Sequence, residues 1–118
     1  MVVHSVLPAA DVDRILRALA DSTRRDIVER VLAGEQSVSA LADGYAMSFA
    51  AVQKHVAVLE RAGLVTKHPR GRERLVRGDL DAIRRVSTLL DRYEQLWRAR
   101  VDHLDALLAA PEDPTSES

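Results

Sequence analysis

The sequence predicts a mainly α fold with one small β-hairpin, and three observations carry that prediction. Apolar residues recur at three- and four-residue steps through most of the chain, the spacing of helices with one buried face. One stretch, "LVTKHPRGRERLVRG", breaks that period, setting β-branched and apolar flanks around Gly71 in the pattern of a hairpin. Cap and turn residues then divide the periodic segments in the order helix, helix, short helix, tight turn, helix, hairpin, long helix. Two helices joined by a tight turn and followed by a basic hairpin describe a winged helix-turn-helix.

Each element has a local reason. The first helix opens near Ala9 or Asp11, with Val12, Ile15, Leu16 and Leu19 at helical spacing. Asp21 or Ser22 caps a second helix, "STRRDIVERVLAG", whose apolar face is Ile27, Val28, Val31 and Leu32 and which Gly34 closes. Ser37 caps a short third helix in "VSALADGY", with Val38, Leu41 and Ala42 pointing inward. "AMS" is the tight turn, and Ser48 is the N-cap of the fourth helix. Met47 and Val52 are spaced for a hydrophobic staple; Val52, Val56 and Leu59 make the core stripe, and Gly63 ends the helix. After the hairpin a long helix runs from Asp79 or Leu80 to about Ala109, about 45 Å at 1.5 Å per residue.

Composition narrows the function classes. A chain of 118 residues with 47% hydrophobic and 30% charged residues reads as one globular domain, not a disordered chain. The absence of cysteine excludes disulfides and thiolate metal sites. No apolar run approaches the roughly 18 residues of a membrane span, and "MVVHSVLPAAD" lacks the basic start and apolar core of a signal peptide. A cytoplasmic protein with no membrane partner is expected. No Ser-His-Asp, Cys-His or paired-carboxylate arrangement and no glycine-rich phosphate loop is present, so no catalytic residue is assigned and an enzyme is not expected.

The net charge of −1 conceals a basic segment, in which Lys67, Arg70, Arg72, Arg74 and Arg77 face Glu73 alone. A local patch of this kind, rather than the total charge, is what meets phosphates. The end of the chain, residues 111–118 ("PEDPTSES"), reads as a disordered acidic tail after a domain spanning 1–110.

The fourth helix has the division of labour that DNA recognition needs. One side docks on its own domain through Val52, Val56 and Leu59, while Ala50, Gln53, Lys54 and Ala57 fall on the far side. Ala50 and Ala57 allow close approach in a major groove about 12 Å wide, where Gln53 can pair with adenine and Lys54 can reach guanine or phosphate. Phe49, in the first turn, either touches a thymine methyl or completes the core. Ser48 and the helix N-terminus can hold a phosphate. His55 lies on the flank opposite Phe49, as a half-buried packing residue or a base contact. The helix at 48–62 is therefore expected in the major groove and the wing at 67–77 on phosphates, with Arg70, Arg72 and Arg74 as its contacts.

These residues resemble a family. "RALADSTRRDIVERVLAGE" is similar to the opening signature of ArsR-type bacterial transcriptional regulators, and "LADGYAMSFAAVQKHVAVLERAGLV" is similar to their helix-turn-helix, with Lys54-His55, Leu59-Glu60 and "AGLV" in register. The resemblance covers about Leu16 to Leu80. It implies a homodimeric winged-helix DNA binder, usually a repressor released by a small effector or a metal, and often one that regulates its own gene. There are departures. Gln53 stands where the family usually has Ser, Ala46 where Gly is common, and the hairpin lacks the aromatic pair often found on the second wing strand.

Metal sensing in that family needs ligands that this sequence does not supply. The third-helix motif that carries cysteine in some relatives falls here in "SVSALADGY", which has none. On the last helix, Asp91 is followed two positions later by Tyr93 and His103 three positions later by Ala106, so the Asp-x-His and His-x-x-His pairs of other relatives are absent. No metal or cofactor is expected.

The last helix carries more apolar stripe than a domain this small needs for itself. Leu89, Tyr93, Leu96, Trp97, Val101 and Leu104 on it, with Val12, Ile15 and Leu16 on the first helix, are the expected dimer interface. Two-fold symmetry would place two recognition helices about 34 Å apart on a palindromic operator. Tyr93 and Trp97 either pack in that seam or line a small cavity for an unidentified effector. The leading expectation is a homodimeric, sequence-specific regulator, a repressor; the alternatives are a protein-interaction module that kept the fold and a metal-responsive repressor.

Overall fold

The computed structural model describes residues 9–109; the acidic tail expected at 111–118 lies outside them. The elements are α1 (Ala9–Leu19), α2 (Ser22–Ala33), β1 (Gln36–Ser37), α3 (Val38–Asp43), α4 (Phe49–Arg61), β2 (Val65–Arg70), β3 (Glu73–Gly78) and α5 (Leu80–Ala109). This is the winged helix-turn-helix order, with α3 and α4 as the helix pair and β2–β3 as the wing. The chain divides into two compact units after Val86, so most of α5 forms a unit of its own.

Caps decide where the helices begin. Asp21 accepts the Arg24 backbone N–H at 3.0 Å and opens α2. Ser37 does the same for α3 through the Ala40 N–H, and Ser48 for α4 through the Ala51 N–H. Each supplies an oxygen to an N–H that has no partner within its own helix.

The end of α4 sets the wing. Gly63 takes a φ of 78°, which favours glycine, and reverses the chain. The Leu64 N–H donates to the Leu59 carbonyl and the Gly63 N–H to that of Glu60, both at 3.0 Å, the bond pair of a Schellman motif. Leu64 and Val65 thereby drop into the core, and β2 leaves at a fixed angle. The Asp79 N–H donates to the Leu64 carbonyl at 2.9 Å and ties the far end of the hairpin to its start.

The core lies beneath α4. Val52, Val56 and Leu59 are fully buried against Ile15, Ile27, Leu41, Leu64 and Val76, and Met47 packs on its edge. At the wing tip Arg70 pairs with Glu73, which leaves Gly71 and Arg72 as a two-residue turn. Gly71 has a φ of 64° and Arg72 does not share the positive sign, the pattern of a type II′ hairpin turn.

Two sequence expectations change here. The sheet has three strands in the order β1-β3-β2, because Gln36 and Ser37 pair with Val76 and Leu75. A two-residue strand is too short to show alternation, so it leaves no periodic signal. The second change concerns the dimer residues Val12 and Ile15. They are 8% and 1% exposed, buried in their own protomer, with Ile15 inside the core cluster. A side chain so enclosed has no surface left for a partner; on α1 only Leu16, 42% exposed, keeps an outward apolar face among the three.

Candidate nucleic-acid interface

The family-like signature at the α1–α2 junction does structural work. The Arg24 guanidinium donates to the carbonyls of Ala18 (2.7 Å) and Arg17 (3.1 Å), and Arg25 donates to that of Leu19 (2.8 Å). These are carbonyls at the end of α1, where helical partners run out. Asp21 caps α2 from the other side. Its carboxyl is held below the ordinary aspartate range, chiefly by the Arg24 backbone N–H, with the charge of Arg24 as a smaller cause. A depressed value means that the cap stabilises the fold above the ordinary aspartate pKa, about 3.9, and loses that contribution as pH falls through the lower folded value. Asp21→Asn, which keeps a capping oxygen but no charge, is expected to flatten this acid limb. Urea midpoints measured between pH 6 and pH 2 check it: the gap between wild type and variant closes on acidification.

Arg24 also reaches α4. Its Nη1 lies 3.3 Å from His55 Nδ1. A guanidinium only donates, so Nδ1 is the acceptor. His55 is therefore half-buried and turned towards α2, which withdraws it from the groove-facing set named from sequence.

The outer face of α4 is open. Ala50, Gln53 and Lys54 are exposed, and Phe49 is 46% exposed instead of completing the core. Ser48 stands at the N-terminus with its hydroxyl engaged as the cap. The flank opposite His55 meets the wing. Gln53 and Val56 line a cleft of about 290 Å³ together with Val38, Lys67 and Arg74.

The wing cations divide by register. Lys67 pairs with Val76 and Pro69 with Arg74 across the hairpin. Directly opposite residues share a face, so Lys67 and Arg74 lie on the side of buried Val76, towards α4. Arg77 and Arg70 lie on the other side and approach Glu35, at 2.7 Å and 3.9 Å. Lys67 makes an ion pair with Glu60 at 3.3 Å. Arg72 at the tip and Arg74 have no acidic partner among the described residues. The structure thus brings Gln53 and Arg74 together and sets Arg70 apart. Lys67 lies outside the wing contacts expected from sequence, Arg70, Arg72 and Arg74. The signal was present, since a two-residue period through Val65, Lys67 and Pro69 puts it on the inner face.

A second polar group braces the turn before α4. The Tyr45 hydroxyl donates to Asp26 Oδ2 at 2.5 Å, and the Arg30 guanidinium lies 5.2 Å from the Tyr45 ring centre. Partial burial, then the bond to Asp26, raises the phenol above its ordinary value. Arg30 also donates to Gln36 Oε1 at 3.1 Å, linking α2 to β1.

In the separate α5 unit, Leu90, Tyr93, Trp97 and Leu104 recur at helical steps and are all exposed, Trp97 at 64%. Leu96 is exposed on the adjoining flank, and Leu89 and Val101 are half-buried. Trp97 borders a shallow groove of about 200 Å³ with Glu94, Arg98, Val101 and Asp102; Tyr93 is not among its lining residues. Among the described residues no three His, Asp or Glu side chains gather as a metal site, and no helix is long and apolar enough to cross a membrane.

Comparison with known proteins agrees with this geometry. Residues 19–68 match the family described as a helix-turn-helix domain. The chain is 42% identical over 81 residues to the HTH-type transcriptional regulator Rv2034 of Mycobacterium tuberculosis, covering 69% of this chain and 76% of that protein. A crystal structure of an ArsR family transcriptional regulator superposes with a TM-score of 0.72 at 31% identity, over 75% of this chain and 92% of that one. The solution structure of a homodimeric winged helix-turn-helix DNA-binding domain from Mycobacterium bovis shares the fold, with a TM-score of 0.63 at 22% identity over 80% of this chain and 89% of that one. The chain belongs to the ArsR family of winged helix-turn-helix transcriptional regulators.

Proposed function

We propose that the protein is a homodimeric repressor that reads a palindromic operator, with α4 in the major groove and the wing on the flanking backbone. The observation that carries this reading is the meeting of the open polar face of α4, at Gln53, with the wing at Arg74, which no acid among the described residues neutralises. Gln53 and Lys54 read base edges, with Phe49 and Ala50 in apolar contact beside them. Ser48 and the N-terminus of α4 hold a phosphate. Arg72 and Arg74 anchor the wing, with Arg70 as an outer contact once it leaves Glu35. The dimer forms through α5, by Leu89, Tyr93, Leu96, Trp97, Val101 and Leu104, with Leu16 of α1. The homodimeric relative from Mycobacterium bovis supports this assembly. The protein acts in the cytoplasm, where a bacterial operator lies, and an unidentified small effector is the natural release signal for a dimer of this kind.

A labelled fragment carrying the gene's own promoter, titrated at two salt concentrations with and without nonspecific competitor, tests the reading. Saturable binding that resists competitor is expected. Two variants separate the roles. Gln53→Ala should relax preference at one base step and cost about 1–3 kcal/mol there. Arg72→Ala should weaken all sequences alike and flatten the salt dependence, since each neutralised phosphate contributes about 0.9 to the slope. Equal losses from both variants on random DNA would remove Gln53 from base reading.

A further inference from the structure

The cleft between α4 and the wing sets the base-reading Gln53 and the wing cation Arg74 beside a lysine, Lys67, that neither contact uses. Its floor is Val38 and Val56, the first nearly and the second fully buried. Gln53 forms one wall, and Lys67 and Arg74 the other. The side chain of Lys67 is only 23% exposed, and its Nζ is held 3.3 Å from Glu60. Glu60 lies seven residues beyond Gln53, two turns along the same flank of α4. A cation above an apolar floor is screened less than one in open solvent, so it attracts an anion more strongly.

The position of the cleft points to its occupant. If α4 lies in the major groove and the wing reaches past its edge, a sugar–phosphate strand must cross between them. The cleft is where that strand passes. We propose that this cleft seats a backbone phosphodiester of DNA, held by Lys67 and Arg74, and that Lys67 leaves Glu60 for the phosphate on binding. Glu60 then acts as a place-holder that keeps the ammonium over the cleft in the free protein. The seat is indifferent to sequence, since it touches no base edge. Lys67 thus adds affinity and positions Gln53 against its base step. This rests on the reading of the protein as a DNA-binding regulator.

The test uses the full chain and a duplex selected by the wild-type protein from a random-sequence library, with an unselected duplex beside it. Lys67→Gln is expected to weaken binding about tenfold at 50 mM salt and about threefold at 200 mM, because one phosphate contact lowers the salt slope by about 0.9. The loss should be the same on both duplexes. Glu60→Gln frees the lysine and should tighten binding about threefold. The double variant should match Lys67→Gln, because Glu60 acts only through Lys67. Thermal midpoints should stay close together, since a single ion pair with a solvent-exposed carboxylate contributes little to stability. If Lys67→Gln leaves the slope unchanged, or lowers affinity and thermal midpoint together without changing it, the phosphate seat is wrong while the regulator reading stands. If the wild-type protein selects no sequence and binds no duplex, the regulator reading itself fails and takes the seat with it.

Discussion

Trp97→Asp combined with Leu104→Asp is expected to convert the protein to a monomer and to lower operator affinity by about 10²–10⁴-fold. The two side chains lie seven residues apart, two turns along one stripe of α5, and both are exposed. In a two-fold dimer both would lie in the shared seam, so the double substitution sets four carboxylates in an apolar interface and desolvates them without partners. On the proposed two-half-site reading, operator binding depends on the seam because one copy of α4 engages a half-site while the second binds at a high effective concentration. Removing that linkage forfeits the avidity without touching a DNA contact. Sedimentation velocity reads the assembly and a gel titration on the selected duplex reads the affinity. Helicity by circular dichroism should persist, since neither side chain is in the core. A dimer that survives both aspartates would place the seam elsewhere. A monomer that binds with undiminished affinity would end the two-half-site model.

Ile15→Ala should act on folding instead. Ile15 is 1% exposed, so the substitution leaves a cavity lined by core residues and costs about 2–5 kcal/mol. That is a large part of the 5–15 kcal/mol typical of a domain. A fall in the urea midpoint with no change in the denaturant slope is expected, and the folded fraction should assemble as before. Leu16→Asp makes the contrast: it should weaken assembly and leave the urea midpoint of the monomer nearly unchanged. If Ile15→Ala weakens assembly at full stability, the burial assignment is wrong.

The contrast between these neighbours shows what periodicity can tell. Val12, Ile15 and Leu16 all fit an apolar helical face, and their spacing says that they are covered without saying by what. Ile15 is covered by its own core, whereas Leu16 stays open. On α4 the same kind of spacing was sufficient, because Val52, Val56 and Leu59 are flanked by Gln53 and Lys54 and only one face of the helix can be buried. The caps were legible too. Asp21, Ser37 and Ser48 each bond an N–H three residues ahead, so the interaction lies within the stretch of sequence that announces it.

The partition of the wing cations was not legible. Five basic residues in one segment read as a single patch, yet Arg77 is held by Glu35, 42 positions away, and Lys67 faces α4. His55 likewise owes its orientation to Arg24, 31 positions away. Local sequence therefore determined the helices, their starts, the Gly63 reversal and the Gly71 turn, because caps, backbone preferences and a 3.6-residue period act over a few residues. Which arginine stays without an acid, which apolar side chain stays uncovered and which lysine overlooks the cleft were left to the packed chain. Each depends on a partner brought close by folding, and charge pairing and burial are properties of distance in space, not of distance along the sequence.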